Sequence, residues 1–172
     1  AIRRDASERV SNVVIMGSGE PLDNYDAVVR FIRMISDEKG LNISQRNITL
    51  STCGIVPKIY QLADEHLQIT LAISLHASDN EKRKSMMPIA NKYDMDTLLE
   101  ACRYYYETNG RRLTFEYSLA RGVNDSPEDA RALAKLLKGF MWHVKLSPIN
   151  PVEERSYVHS ARKSIIKKKN SL

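Results

Sequence analysis

Five β-rich runs alternate with helix-patterned segments along the 172 residues, and that alternation restricts the fold more than any single motif. The spacing predicts strands over residues 12–16, 47–52, 67–75, 112–119 and 142–146. Between the first two, Ala27, Val28, Phe31, Ile32 and Ile35 share one side of a helix over residues 25–39 that Gly40 stops. Helices follow over residues 55–65, with Ile59 and Leu62 inward, and over 79–87, ended by Pro88. Asp94 caps another through residue 108, burying Leu98, Leu99, Cys102 and Tyr105 before Asn109-Gly110. Ser126-Pro127-Glu128-Asp129 opens the last clear helix with a cap, a proline in the first turn and two acids, ahead of Ala130, Leu133, Ala134 and Leu137. No two-residue hairpin turn joins two β runs, so the units are βαβ and the sheet is parallel. The alternation itself is compatible with an open sheet and with a barrel.

The strand faces carry the argument further. Side chains alternate across a strand, so Ile69, Leu71, Ile73 and Leu75 oppose Thr70, Ala72, Ser74 and His76. Ile48 and Leu50 likewise oppose Thr49 and Ser51; Leu113, Phe115 and Tyr117 oppose Thr114, Glu116 and Ser118; Val144 and Leu146 oppose His143, Lys145 and Ser147. One apolar and one small polar face on several parallel strands imply a partial or complete (β/α) barrel, with helices outside and a polar cavity inside. Three regions result: a polar lead-in over residues 1–11, the β/α core over 12–151, and a basic tail over 152–172 with room for one helix.

In parallel α/β architectures ligands bind beyond the C-terminal ends of the strands. Here those ends are Gly19-Glu20, Ser51-Thr52, Ser74-Leu75-His76, Ser118 and Asn150. The loop Met16-Gly17-Ser18-Gly19-Glu20-Pro21-Leu22 stands out, because its glycines admit close backbone approach and Glu20 accepts from an ammonium or hydroxyl group. Glycines between a strand and a helix are also ordinary turn chemistry, so the case rests on five polar strand ends together. There is no phosphate-binding G-x-x-x-x-G-K-[ST] loop, G-x-G-x-x-G fingerprint, G-x-S-x-G elbow or H-E-x-x-H pair. The residues alone lead to a parallel α/β protein that binds a polar small molecule.

Composition narrows the setting. With 42% hydrophobic and 27% charged residues, the chain matches a water-soluble globular domain. No apolar run reaches the ~18 residues of a membrane span, and the first residues do not form a secretory signal, so a cytoplasmic location and no membrane partner are expected. The net charge of +5 is compatible with a polyanionic partner, although Arg162-Lys163 and Lys167-Lys168-Lys169 also read as a solvated end. Two cysteines, Cys53 and Cys102, lie far apart with no C-x-x-C or Cys/His pair, which argues against a disulfide framework or structural zinc site. A start at Ala1 rather than a methionine points to a piece of a longer protein.

Met16-Gly17-Ser18-Gly19-Glu20-Pro21-Leu22 resembles the corresponding loop of the radical S-adenosylmethionine (SAM) RNA adenine methyltransferases, the RlmN/Cfr type. The resemblance continues in order through Leu50-Ser51-Thr52-Cys53-Gly54, Ala72-Ile73-Ser74-Leu75-His76, Met87-Pro88-Ile89, Gly122-Val123-Asn124-Asp125 and Asn150-Pro151. It spans roughly residues 10–163. It implies a partial (β/α) barrel truncated at both ends, with Gly19 and Glu20 on the SAM amino group and Ser51, Ser74, Leu75, His76 and Asn150 lining the rest of the pocket.

The resemblance further implies methylation of carbon-2 of an adenine in 23S ribosomal RNA and of an adenine in the tRNA anticodon loop. The full-length enzyme would use SAM, a [4Fe-4S] cluster and a flavodoxin-like electron donor, as a monomer. In the family a C-x-x-x-C-x-x-C motif upstream of the glycine-glutamate loop holds the cluster, and a methyl-carrying cysteine lies near the C-terminus. Those positions fall before Ala1 and after Leu172, so neither catalytic nor metal-binding residues are expected here and the isolated chain is expected to be inactive. Ser18 stands where the family commonly has methionine.

Three other readings compete. One is a carbon-8 ribosomal RNA methyltransferase of the antibiotic-resistance branch, and another is a non-catalytic SAM- or RNA-binding module. An unrelated aldolase-like barrel would need a Schiff-base lysine, for which Lys145 is the one strand lysine on the polar face.

Overall fold

The computed structural model describes residues 9–139 and 142–149. Five strands, β1 (Val13–Ile15), β2 (Ile48–Thr52), β3 (Thr70–Ser74), β4 (Thr114–Leu119) and β5 (His143–Pro148), form one sheet. All pairings are parallel and each strand lies beside its predecessor in sequence, so the connections run along one side of a curving sheet. β1 and β5 are the two edges, which makes the architecture a partial parallel (β/α) barrel rather than a closed one.

The connecting helices are α1 (Tyr25–Ser36), α2 (Val56–Asp64), α3 (Asn80–Met86), α4 (Met95–Asn109) and α5 (Pro127–Leu136). α2 and α4 bury the stripes expected of them, whereas the face of α1 is rotated, so that of the expected set Ile32 and Ile35 are buried while Ala27 and Phe31 are exposed. The buried residues are Tyr25, Val29, Ile32 and Ile35 on α1, Val56, Ile59, Leu62 and Ala63 on α2, and Met95, Leu98, Leu99, Cys102 and Tyr105 on α4. They meet Ile48, Leu50, Leu71, Ile73, Phe115 and Tyr117 from the sheet, giving one apolar core between helices and strands. The opposite sheet face is polar, with Thr49, Ser51, Thr70, Ser74, Thr114 and Glu116 in adjacent rows; Ser74 pairs with Glu116, and Glu116 with Lys145.

Element ends differ from expectation for local reasons. The first helix stops at Ser36 rather than 39, because Asp37 turns extended and its carboxylate accepts the Lys39 N–H at 2.7 Å, an alternative to the helical bond. The third strand is confined to Thr70–Ser74, since its ladder with β2 begins at Thr49 and Thr70. β5 runs on to Pro148, which pairs with Leu119 and suits an edge strand. Asp94 and Ser126 cap their helices as predicted, through the Thr97 and Asp129 N–H groups. The basic tail lies outside the described residues.

Candidate active site at the C-terminal ends of the strands

β1 runs into the glycine-rich loop, and Glu20 caps a short 3-10 turn, Pro21–Asn24, that leads into α1. Glu20 Oε1 accepts the Leu22 N–H at 3.0 Å, and Oε2 accepts the Cys53 N–H from the loop after β2 at 2.6 Å. Two backbone donors from neighbouring strand ends therefore fix the carboxylate, leaving lone pairs for a ligand. Gly19 has φ +90°, a conformation L side chains avoid, and a Cβ there would meet nothing, so the backbone stays bare beside the carboxylate.

Glu20 and Gly19 line a cavity of about 150 Å³ with Met16, Gly17, Pro21, Ser51, Thr52, Cys53, Ser74 and Glu116. A second cavity, about 270 Å³, lies against the same loop and reaches Ile15, Ser18, Asn24 and Val28. Four of the seven sequence-predicted site residues, Gly19, Glu20, Ser51 and Ser74, thus share one cavity. Leu75 does not line it; its side chain is fully buried in the apolar core, and its N–H donates to the Glu116 carbonyl at 3.0 Å. Asn150 lies outside the described residues.

His76 lies just beyond β3 in the left-handed region, φ +57°. Its Nδ1 accepts the Ser118 N–H at 3.0 Å, which leaves the ring proton on Nε2 and makes that atom a donor. Burial holds the imidazole down at about 4, with Glu116 opposing the shift and Arg83 adding to it. His76 lies outside the cavity lining, tied to the loop after β4 by Asn124, whose Nδ2 donates to the His76 carbonyl at 2.6 Å and the Ser118 carbonyl at 2.8 Å. Asn124 is itself fully buried, so the Gly122-Val123-Asn124-Asp125 motif joins two strand-end loops.

Two lining residues were missed as site candidates. Glu116 was placed only on the polar face, yet its register beside Ser74 brings it to the cavity wall, where it takes the Lys145 Nζ at 3.1 Å. That register was the available signal. Cys53 contributes its N–H to Glu20, while burial and then the Glu20 carboxylate push its thiol up to about 12, so it stays protonated. Lys145 is 58% exposed and ion-paired, in contrast to the desolvated amine that a Schiff-base lysine needs.

The fold is a parallel α/β half-barrel whose strand-end loops hold a carboxylate on the wall of a polar cavity, the place where ligands bind in such architectures. Residues 1–137 match the family model of the Radical SAM superfamily, and the chain belongs to that superfamily. Over 170 residues it is 60% identical to a probable dual-specificity RNA methyltransferase RlmN of Clostridium novyi (strain NT), covering 99% of this chain and 50% of that relative. A probable dual-specificity RNA methyltransferase RlmN of Lachnospira eligens is 58% identical, over 99% of this chain and 49% of its own length.

The crystal structure of a radical SAM methyltransferase from Sphaerobacter thermophilus aligns at TM-score 0.94 and 42% identity, covering 99% of this chain and 50% of that one. A domain of pyruvate-formate lyase-activating enzyme from Bacteroides vulgatus, at TM-score 0.68 and 14% identity over 94% of this chain and 92% of that one, shares the fold. The chain spans about half the length of the curated relatives it matches.

Proposed function

We propose that this chain is the SAM-binding core of an RNA methyltransferase that modifies carbon-2 of an adenine in 23S ribosomal RNA and an adenine in the tRNA anticodon loop. The observation that carries the reading is the Glu20 carboxylate, fixed by the Leu22 and Cys53 N–H groups on the wall of a cavity it shares with Ser51 and Ser74. The RlmN relatives support the RNA specificity by their names.

The donor and acceptor set fits the polar end of SAM. Glu20 accepts from the ammonium, Gly19 allows close approach, and the Ser51 and Ser74 hydroxyls bond its carboxylate or ribose oxygens. The family resemblance adds Leu75, His76 and Asn150 to the same pocket; Leu75 and His76 lie outside the cavity lining, and Asn150 lies outside the described residues. Bound SAM supplies the methyl group and, together with a reduced [4Fe-4S] cluster, the radical chemistry of the superfamily. Among the described residues no group of three His, Cys, Asp or Glu side chains could hold a metal, so the cluster does not fit the residues of this chain that are described. What this chain does is bind and orient SAM at its strand-end loops.

The rest of the reading is a monomeric enzyme, served by a flavodoxin-like donor, acting in the cytoplasm. No described helix is long and apolar enough to cross a membrane. Mass spectrometry of nucleosides from 23S ribosomal RNA and tRNA tests the activity. Cells lacking the gene are expected to lose 2-methyladenosine from both RNAs and to regain it with the full-length gene but not with its Glu20→Gln variant. Unchanged 2-methyladenosine in the deletion, or a carbon-8 product, would overturn the assignment.

A further inference from the structure

Arg83, on α3, is fully buried, yet no carboxylate among the described residues pairs with it. An arginine stays protonated in a protein, and a buried cation without an anion is a costly arrangement. Its donors go to backbone carbonyls instead: Nη2 to Cys53 at 2.8 Å and Nη1 to Tyr93 at 3.4 Å, while Nε has no partner. The residue whose carbonyl it holds is the one whose N–H holds Glu20 Oε2 at 2.6 Å. Gly54 makes the approach feasible, because a Cβ there would lie 3.3 Å from Arg83 Nη2 and 2.9 Å from Leu98 Cδ1.

We propose that Arg83 is a positioning residue for the SAM site. From behind the Cys53–Gly54 turn its guanidinium fixes residue 53, so that the Cys53 N–H keeps the Glu20 carboxylate on the cavity wall. The inference rests on the reading of the cavity as a SAM site, although its loop geometry can be measured without ligand.

The test is a double-mutant cycle on the full-length protein that carries this chain, with SAM affinity measured by calorimetry. Arg83→Met is expected to weaken SAM binding about tenfold when Glu20 is present, and by less than about twofold in a Glu20→Gln background. Equal losses in the two backgrounds would show a general structural role and overturn the inference, as would no loss at all. Where Arg83→Met does not hold its fold by circular dichroism, Arg83→Lys replaces it in the same cycle. That variant keeps the charge but loses the forked guanidinium and is expected to lose about threefold, again only with Glu20 present.

Hydrogen exchange without ligand supplies the independent arm. The Cys53 amide is expected to exchange at least about tenfold faster in the Arg83 variant while β4 amides keep their protection. Unchanged exchange at Cys53 would overturn the positioning role. A wild-type protein that binds no SAM would overturn the reading of the cavity instead.

Discussion

At Gly54 a single methyl group would test the packing behind the site. Its φ of +102° is unfavourable for alanine, and the added Cβ would press on a fully buried Leu98. Gly54→Ala is expected to destabilise the protein by roughly 2–3 kcal/mol, measured by urea unfolding, and to weaken SAM binding by displacing the Cys53 amide; a variant as stable as wild type would contradict the observed backbone. His76 makes a pH prediction. Its folded-state value, about 4, lies below the ordinary 6.5, so the unfolded chain binds the proton more readily. The stability this provides is complete above about pH 6.5 and falls as the pH drops toward 4, by on the order of 3 kcal/mol. Replacing His76 with Gln should flatten that part of a stability-versus-pH curve, and a curve of unchanged slope would argue against a buried neutral ring.

Among the elements, the start of α5 is the joint that holds two loops together. Asp129 is 2% exposed; it accepts Ser126 N–H and Oγ–H in a capping box, Ser78 Oγ at 2.8 Å and the Lys82 ammonium of α3. Burial alone would raise its carboxyl, but hydrogen bonds from Lys82, Ser126 and Ser78 bring it below the usual range. The stability from this group is present above about pH 4 and is lost as the pH falls through the depressed folded-state value. Asp129→Asn should lower unfolding free energy by about 2 kcal/mol, and Ser126→Ala by about 1 kcal/mol. Melting curves in which the two substitutions ranked the other way would show that the cap, rather than the link to α3, dominates.

The same segment shows what a sequence can disclose. Ser126-Pro127-Glu128-Asp129 reads as a helix start because capping is local, whereas the reach of Asp129 to Ser78 and Lys82 depends on how α3 and α5 pack. Ser51 and Ser74 were legible for a related reason: period-two alternation fixes their face, and parallel strands bring their ends together with the glycine-rich loop that carries Glu20. Glu116 lay on that face too but became a cavity residue only through register with Ser74. Arg83 sits among Glu81, Lys82 and Lys84 on a short charged helix, and nothing in those neighbours along the chain reveals a carbonyl partner 30 residues away. His76 was legible as a polar strand end, but its turn away from the cavity depends on a left-handed backbone and on Asn124.

For the molecule as a whole, the parallel order of the five strands makes the cavity an assembly of loops rather than the property of one motif. Binding at such a site should therefore respond to changes in several loops and hardly at all to changes at the opposite end of the sheet. The central claim is that this end of the sheet receives SAM with its ammonium on Glu20. A crystal structure of the full-length protein with SAM tests it most directly. The account predicts the SAM nitrogen about 3 Å from a Glu20 carboxylate oxygen, with the remainder of the ligand passing Ser51 and Ser74. SAM seated elsewhere, or seated here with its ammonium turned from Glu20, would contradict it.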